Sequence, residues 1–319
     1  MLRALFVTTL FFVDAAHTQG FPDKARPMRI VVPAGAGSSG DLLGRALAKA
    51  MSDVSGLNVI VENKPGAEMV IGIQSFLAAP ADGYTLLLTS SSSQTLNVVM
   101  IPNLPYDPLK DMVPLNAIGK SGLVMNLGVS TQFRTGREFV AAARASPGKY
   151  TCASSSTTTR MACDLLQATA AVKMLNVPYK TAAAALMGVA GGEADVVFLP
   201  DDQARAQWQA GRMRGVAVTQ TSRMATLPNL PTLREEGLPE YDLTVWYAMY
   251  VGKNTPPEAV SALRDIVGRA NRTKPMLDTL AGFSLEPLDL VGADVTAHNR
   301  REIETWTKLV KSQALKLAN

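Results

Sequence analysis

Apolar positions along the chain alternate between short continuous runs and helical spacing. Residues 28–32, MRIVV, form an apolar run that predicts a buried strand. Over 41–52, Leu42, Leu43, Ala46, Leu47, Ala50 and Met51 recur at three- and four-residue intervals and predict an amphipathic helix with those side chains on its buried face. The same alternation predicts strands at 58–62 and 84–89 around a helix at 69–79. A second series follows: strand 123–129, helix 136–145, strand 150–153, helix 160–171, strand 174–178, helix 181–190, strand 195–199, helix 201–210 and strand 213–219. A strand at 243–251 precedes helices at 256–272, 274–281 and 292–316, and Pro256 and Pro257 suit the start of the first of these. Short links between strands and helices predict an α/β fold with right-handed crossovers.

Two proline-rich stretches, 102–114 and 226–240, interrupt the pattern and are expected to be largely irregular. They divide the chain into two lobes, expected as 21–122 plus 247–319 and 123–246, with 123–129 and 243–251 as crossings. Residues 1–20 read as a secretory signal peptide: a positive start at Arg3, an apolar stretch to Val13 and a polar, small-residue exit. That stretch is too short to span a bilayer, which takes roughly 20 residues.

Composition narrows the picture only a little. A chain of 319 residues with 47% hydrophobic residues supports about two cored domains. A net charge of +4 without clustered lysine or arginine gives no footprint for nucleic acid. The only histidines are His17 and His298, so no zinc motif and no cofactor are expected. Cys152 and Cys163 could be bridged in an oxidising compartment or could be two small buried residues; the sequence leaves both open.

Candidate chemistry gathers where strands give way to helices. Gly35, Ala36, Gly37, Ser38, Ser39 and Gly40 match G-x-G-x-x-G, and Glu62 ends the next strand. That is nearly a dinucleotide fingerprint, so an NAD-dependent oxidoreductase using Gly35, Gly37 and Gly40 is the alternative reading. Against it, Pro33 interrupts the strand, and Asp41 places a carboxylate where pyrophosphate would dock. Free amides at a helix start equally suit a small carboxylate. Two further clusters, Thr89–Thr95 (TSSSSQT) and Cys152–Arg160 (CASSSTTTR), follow strands at equivalent places and offer hydroxyls and N–H donors without fixed charge. There is no nucleophile elbow, no Walker lysine, and only His298 to serve a hydrolase triad.

In order, the segments PMRIVVPAGAGSSGDLLGRALA, VIVENKPGA, PADGYTLLL, LPYDPLKDMVPL, SPGKYTCASS, VPYKTAAAAL, GGEADVVF, AGRMRGVAVT and LPNLPTLREEGLPEYDLTVWYAMYVGKNTP closely resemble the Bug family, the extracytoplasmic solute receptors of tripartite tricarboxylate transporters. The resemblance runs from about Phe21 to the end. It implies a two-lobed, type II periplasmic-binding-protein-like fold, no enzymatic activity, a periplasmic monomer, a small carboxylate ligand and a membrane permease as partner. Carried over position by position, the ligand-binding residues it implies are Ala34, Gly35, Ala36, Gly37, Ser38, Ser39 and Asp41 in the first loop. Ser90, Ser91, Ser92 and Ser93 make the second, and Ser154, Ser155, Ser156 and Thr157 the third. Tyr179, the Trp246–Tyr247 pair and Asp201 complete the set. The family's first loop carries a bulky aromatic residue and a proline where Ala34 and Gly35 stand, which implies a roomier cleft open to a larger or aromatic acid. Arg160 is a further candidate carboxylate partner.

Overall fold

A computed structural model describes residues 21–312. The expected signal peptide lies outside the described residues. In chain order the first elements are β1 (Met28–Val32), α1 (Ser39–Ser55), β2 (Val59–Asn63), α2 (Val70–Leu77) and β3 (Thr85–Ser90). A π-helical turn, Ser92–Leu96, leads into α3 (Asn97–Met100), and β4 (Met112–Gly122) follows. The second series is β5 (Val124–Gly128), α4 (Gly136–Ala145), β6 (Thr151–Ser154), α5 (Thr157–Ala170), β7 (Leu175–Pro178), α6 (Ala182–Ala190), β8 (Val196–Leu199), α7 (Asp201–Gln209) and β9 (Met213–Val218). β10 (Thr244–Gly252), α8 (Pro257–Asn271), α9 (Lys274–Gly282), β11 (Glu286–Pro287) and α10 (Ala293–Ser312) complete it.

These strands form two sheets, one per lobe. The larger has the order β11-β4-β10-β3-β1-β2 and the smaller β7-β6-β8-β5-β9. β1 runs parallel to β2 and β3, and β6 parallel to β7 and β8, so the starts of α1 and α5 lie beyond carboxyl ends of parallel strands. β10 is antiparallel to both β3 and β4 and begins at Thr244, ahead of the boundary expected at 247.

Local sequence explains the elements. In α1, Leu43, Leu47 and Met51 repeat every fourth residue, are fully buried against β1, and contribute about 1.5–3 kcal/mol each. Leu42, expected on that face, is 42% exposed, because a step of one residue turns a side chain about 100° from Leu43. The helix begins at Ser39 rather than 41 because Ser38 caps it, its hydroxyl accepting from the Asp41 amide at 3.3 Å. Gly56 ends it in the left-handed region, φ +70°. β4 lies partly within a stretch expected to be irregular. Its Pro114 is tolerated because the β4–β10 ladder shifts register beside its partner Tyr250.

The two connections between lobes run side by side and are stitched together. The Leu123 amide donates to Thr219 Oγ1 at 2.7 Å, and that hydroxyl donates to the Leu243 carbonyl at 2.7 Å. The Gly122 amide donates to Gln220 Oε1 at 2.7 Å. On one side of β10, Trp246 Nε1 donates to Glu302 of α10 at 3.1 Å, and Thr95 reaches the same carboxylate at 3.1 Å. Cys152 and Cys163 are joined by a disulfide with Cα atoms 6.0 Å apart, which resolves the alternative left open by the sequence.

Candidate functional site

A cavity of about 320 Å³ opens between the lobes, where all three loops meet. Its wall combines Ala34, Ser38, Ser39 and Gly40 from the first loop, Thr89, Ser90 and Ser92 from the second, and Ser155, Ser156, Thr158 and Thr159 from the third. Val32, Pro33, Met69, Leu88, Leu123, Ala182, Leu199, Pro200 and Val245 supply apolar surface, and Gln203 and Tyr247 complete it. None of these wall residues carries a formal charge. A larger hollow of about 750 Å³ lies beside α10, but charges of both signs line it, including Lys120, Asp242, Arg301 and Glu302.

The first loop is locked from behind. Asp41, 2% exposed, accepts the Gly37 amide at 2.8 Å and pairs with Arg45 at 2.9 Å. Burial opposes its ionisation, yet the Gly37 amide, Arg45 and Asn63 hold the carboxyl below its ordinary range. Ser38 is committed as the cap, with its amide donating to Gly35 O at 3.2 Å. The amides of Ser39 and Gly40 have no acceptor among the described residues, and both residues face the cavity. Gly40 lies beside Ala34 and Tyr247: a Cβ there would make ordinary contacts with them at 3.6 and 3.8 Å. The Tyr247 hydroxyl likewise has no partner among the described residues, and burial, then Asp202, pushes its pKa up to about 12. It is a neutral donor at any ordinary pH. Alternation along β10 puts Trp246 on the other face, against Glu302.

Of the residues carried over from the resemblance, the structure brings together Ala34, Ser38, Ser39, Ser90, Ser92, Ser155, Ser156 and Tyr247 around the cavity. Others lie elsewhere. Gly35, Ala36 and Gly37 are exposed, and a Cβ at Gly35 or Gly37 would meet nothing within 4 Å. Gly35 therefore does not enlarge the cleft, which corrects the expectation of extra room from that position. Asp41 and Ser91 sit behind the wall; Ser91 Oγ accepts from the Trp246 amide at 3.4 Å. Ser93 is fully buried against Thr89 at 2.7 Å, and Ser154 donates to Asn176 at 2.8 Å. Tyr179 packs over Gly188 and donates to Glu193 at 3.5 Å. Asp201, 1% exposed, is held by Arg205 at 3.0 Å and Ser284 at 2.9 Å. Arg160 pairs with Asp164 at 2.8 Å and is not in the wall.

Sequence reasoning passed over Met69 and Gln203, and it included Thr89, Thr158 and Thr159 only as members of the serine and threonine clusters, not among the named ligand-binding residues. Thr158 and Thr159 simply continue the third cluster, and Thr89 opens the second; Met69 carries no signal. The lobes meet across the mouth through side chains. Ser92 and Thr158 hydroxyls are hydrogen-bonded, Ser39 Oγ approaches Asp202 at 3.5 Å, and Glu68 Oε2 accepts from the Thr157 amide at 3.2 Å and its hydroxyl at 3.0 Å.

The dinucleotide pattern dissolves in the structure. Glu62, which would hold a ribose, is paired with Lys64 at 2.8 Å and Arg29 at 3.1 Å. The amide of Gly37 is taken by Asp41. His298 lies against Glu302 at 3.3 Å and edge-on to Trp246, so no serine triad forms around it. Among the described residues no cluster of histidine, cysteine or acidic side chains could hold a metal.

Residues 43–315 match the protein family described as "Tripartite tricarboxylate transporter family receptor". The chain is 28% identical to Protein BugT of Bordetella pertussis over 99% of both chains. It is 32% identical to a UPF0065 protein in the gbd 5' region of Cupriavidus necator, covering 85% of this chain and 82% of that one. Among solved structures it is similar to R. palustris Rpa4515 with adipate, at 26% identity and a TM-score of 0.83, over 92% of this chain and 98% of that one.

Proposed function

Since this chain belongs to the tripartite tricarboxylate transporter receptor family, whose members are solute-binding receptors and not enzymes, we propose that it captures a small organic carboxylate in the cleft between its lobes. The observation that carries this reading is the pair of amides at Ser39 and Gly40, unanswered among the described residues, with Tyr247 beside Gly40, in a cavity wall without fixed charge. A carboxylate seated there accepts both amides and the phenol. Ser38, Ser90 and Ser92 hydroxyls stand in the same wall. Charge-assisted hydrogen bonds contribute about 1.5–3 kcal/mol each. Four or five of them, less the cost of association, reach the roughly −8 kcal/mol of a micromolar complex. Rpa4515 was solved with adipate, which supports an organic acid as the cargo.

The lobes divide at the stitched crossings, with 21–122 plus 244–312 as one body and 123–243 as the other, since β10 pairs with β4 from Thr244 onward. They close over the ligand by pivoting about Leu123, Thr219 and Leu243. The protein is exported to the periplasm by its first 20 residues, acts as a monomer, and hands its ligand to a membrane permease or reports it to a sensor. A thermal-shift panel of organic acids with NAD as a control tests the binding reading. At 100 times its Kd, a bound acid stabilises the native state by about 2.7 kcal/mol and raises the melting temperature by several degrees. No shift is expected with NAD. A shift with NAD, or none with any acid, contradicts the proposal.

A further inference from the structure

Just before α2 the backbone does something unfavourable three times in succession. Ala67, Glu68 and Met69 all lie in the left-handed region, with φ of 47°, 50° and 75°. None is glycine, and each L side chain resists that conformation. The turn is held by Asn97, whose Nδ2 donates to the Glu68 carbonyl at 2.7 Å. It directs Glu68 across the cleft mouth onto the opposite lobe, where one carboxylate oxygen accepts the Thr157 amide and hydroxyl. It also turns Met69 into the cavity wall.

The effect is to fill one of the two anion seats that the fold provides. At the start of α5 the Thr159 amide is answered by Ser156 Oγ at 3.3 Å, and the Ser155 and Ser156 amides by Thr159 Oγ1 at 2.8 and 3.0 Å. With Glu68 on Thr157, only the Thr158 amide among these has no acceptor among the described residues. At the start of α1 the amides of Ser39 and Gly40 remain open, since Asp202 reaches only the Ser39 hydroxyl. The wall carries apolar surface from Val32, Leu88, Leu199 and Val245 among uncharged polar groups such as Thr89, Ser90 and Gln203, and no cationic side chain lines it. A ligand with a carboxylate at each end would bring its second charge against Glu68 with no positive group in the wall to offset it.

Resting on the carboxylate reading above, we infer that Glu68 is a specificity-determining residue: an internal carboxylate that occupies the α5 seat, so that the cleft selects monocarboxylates with an apolar body over dicarboxylates. The residue acts through charge and occupancy, and its role is read from the ratio of affinities for matched acids.

The test is calorimetry of the full mature chain with two matched pairs, hexanoate with adipate and benzoate with terephthalate. The proteins are wild type, Glu68→Gln and Glu68→Gly. Glycine suits φ 50°, so the Glu68→Gly chain is expected to fold at least as stably as wild type, checked by its melting temperature. Wild type is expected to bind the monoacid of a pair at least tenfold tighter than the diacid. Glu68→Gly, which removes the charge and frees the Thr157 amide, is expected to shift that ratio at least tenfold toward the diacid. Glu68→Gln, which removes the charge alone, shifts it in the same direction by less. A wild type that prefers the diacid, or a ratio within threefold of wild type in Glu68→Gly, overturns the role of Glu68 and leaves the carboxylate reading standing. No binding of either pair by any of the three proteins overturns the carboxylate reading, and this inference with it.

Discussion

The double substitution Cys152→Ala/Cys163→Ala is expected to lower stability by about 3 kcal/mol, measured by urea unfolding. The bridge joins β6 to α5 across a sequence separation of 11, and closing a loop of that size removes conformational entropy from the unfolded chain and so raises its free energy by about that much. Both residues are fully buried, so the substitution also deletes two sulfur atoms from the packing around Met161, Leu166 and Phe198. The loss has a functional side. The ring closed by the bridge contains the whole third loop, including Ser155, Ser156, Thr158 and Thr159 of the cleft wall. Opening it frees that loop to move, and ligand affinity should fall with stability. A change of less than 1 kcal/mol in the double variant would show that packing alone positions α5.

Gly72→Ala is expected to destabilise the protein by about 2 kcal/mol and to weaken ligand binding in the same variant. Gly72 is in α2, where alanine would ordinarily gain about 1 kcal/mol in helix propensity. Here a Cβ would lie 2.6 Å from the Lys64 carbonyl oxygen and 2.6 and 2.8 Å from Cβ and Cα of Pro33. Three such contacts, two of them with backbone atoms, force a shift, and overpacking this close lies at the upper end of the usual range, about 3 kcal/mol, which leaves about 2 kcal/mol after the propensity gain. The shift falls on Pro33, which lies in the cleft wall at the head of the first loop. A lower melting temperature together with weaker binding is therefore expected from a residue that is itself outside the wall. A variant as stable as wild type would mean that α2 and the loop part without cost.

Much of this architecture is legible in the chain. Strand–helix alternation places the two αβ series, and serine-rich loops after strands mark the walls of the cleft, because parallel strands leave helix starts at one edge of a sheet. What escapes is what depends on tertiary pairing. β4 is hidden by Pro114, which a register shift against β10 accommodates. Gly35, Ala36 and Gly37 share a motif with Ser38 and Ser39 but face solvent, because Asp41 folds back on the middle of the loop and only its two ends reach the cavity. Glu68 reads as an ordinary surface acid, since nothing local announces a left-handed turn without glycine. Its partner Thr157 is 89 residues away. Serine clusters report where donors are plentiful, but which of them stay unanswered is settled only when the lobes meet.

Anion binding by open amides is best probed by removing one amide proton and little else. Ser39 is the first residue of α1, where proline is well tolerated, and Ser38 at φ −73° and ψ 161° already has the conformation that a following proline demands. Ser39→Pro therefore deletes the N–H proposed to bind the ligand while preserving the helix, and Ser39→Ala deletes the hydroxyl but keeps the N–H. Calorimetry with the acid that gives the largest thermal shift should find Ser39→Pro at least tenfold weaker than Ser39→Ala, as expected for a charge-assisted bond of about 1.5–3 kcal/mol. Equal affinity in the two variants, with both folded, would contradict the claim that open backbone amides at the start of α1 hold the anion.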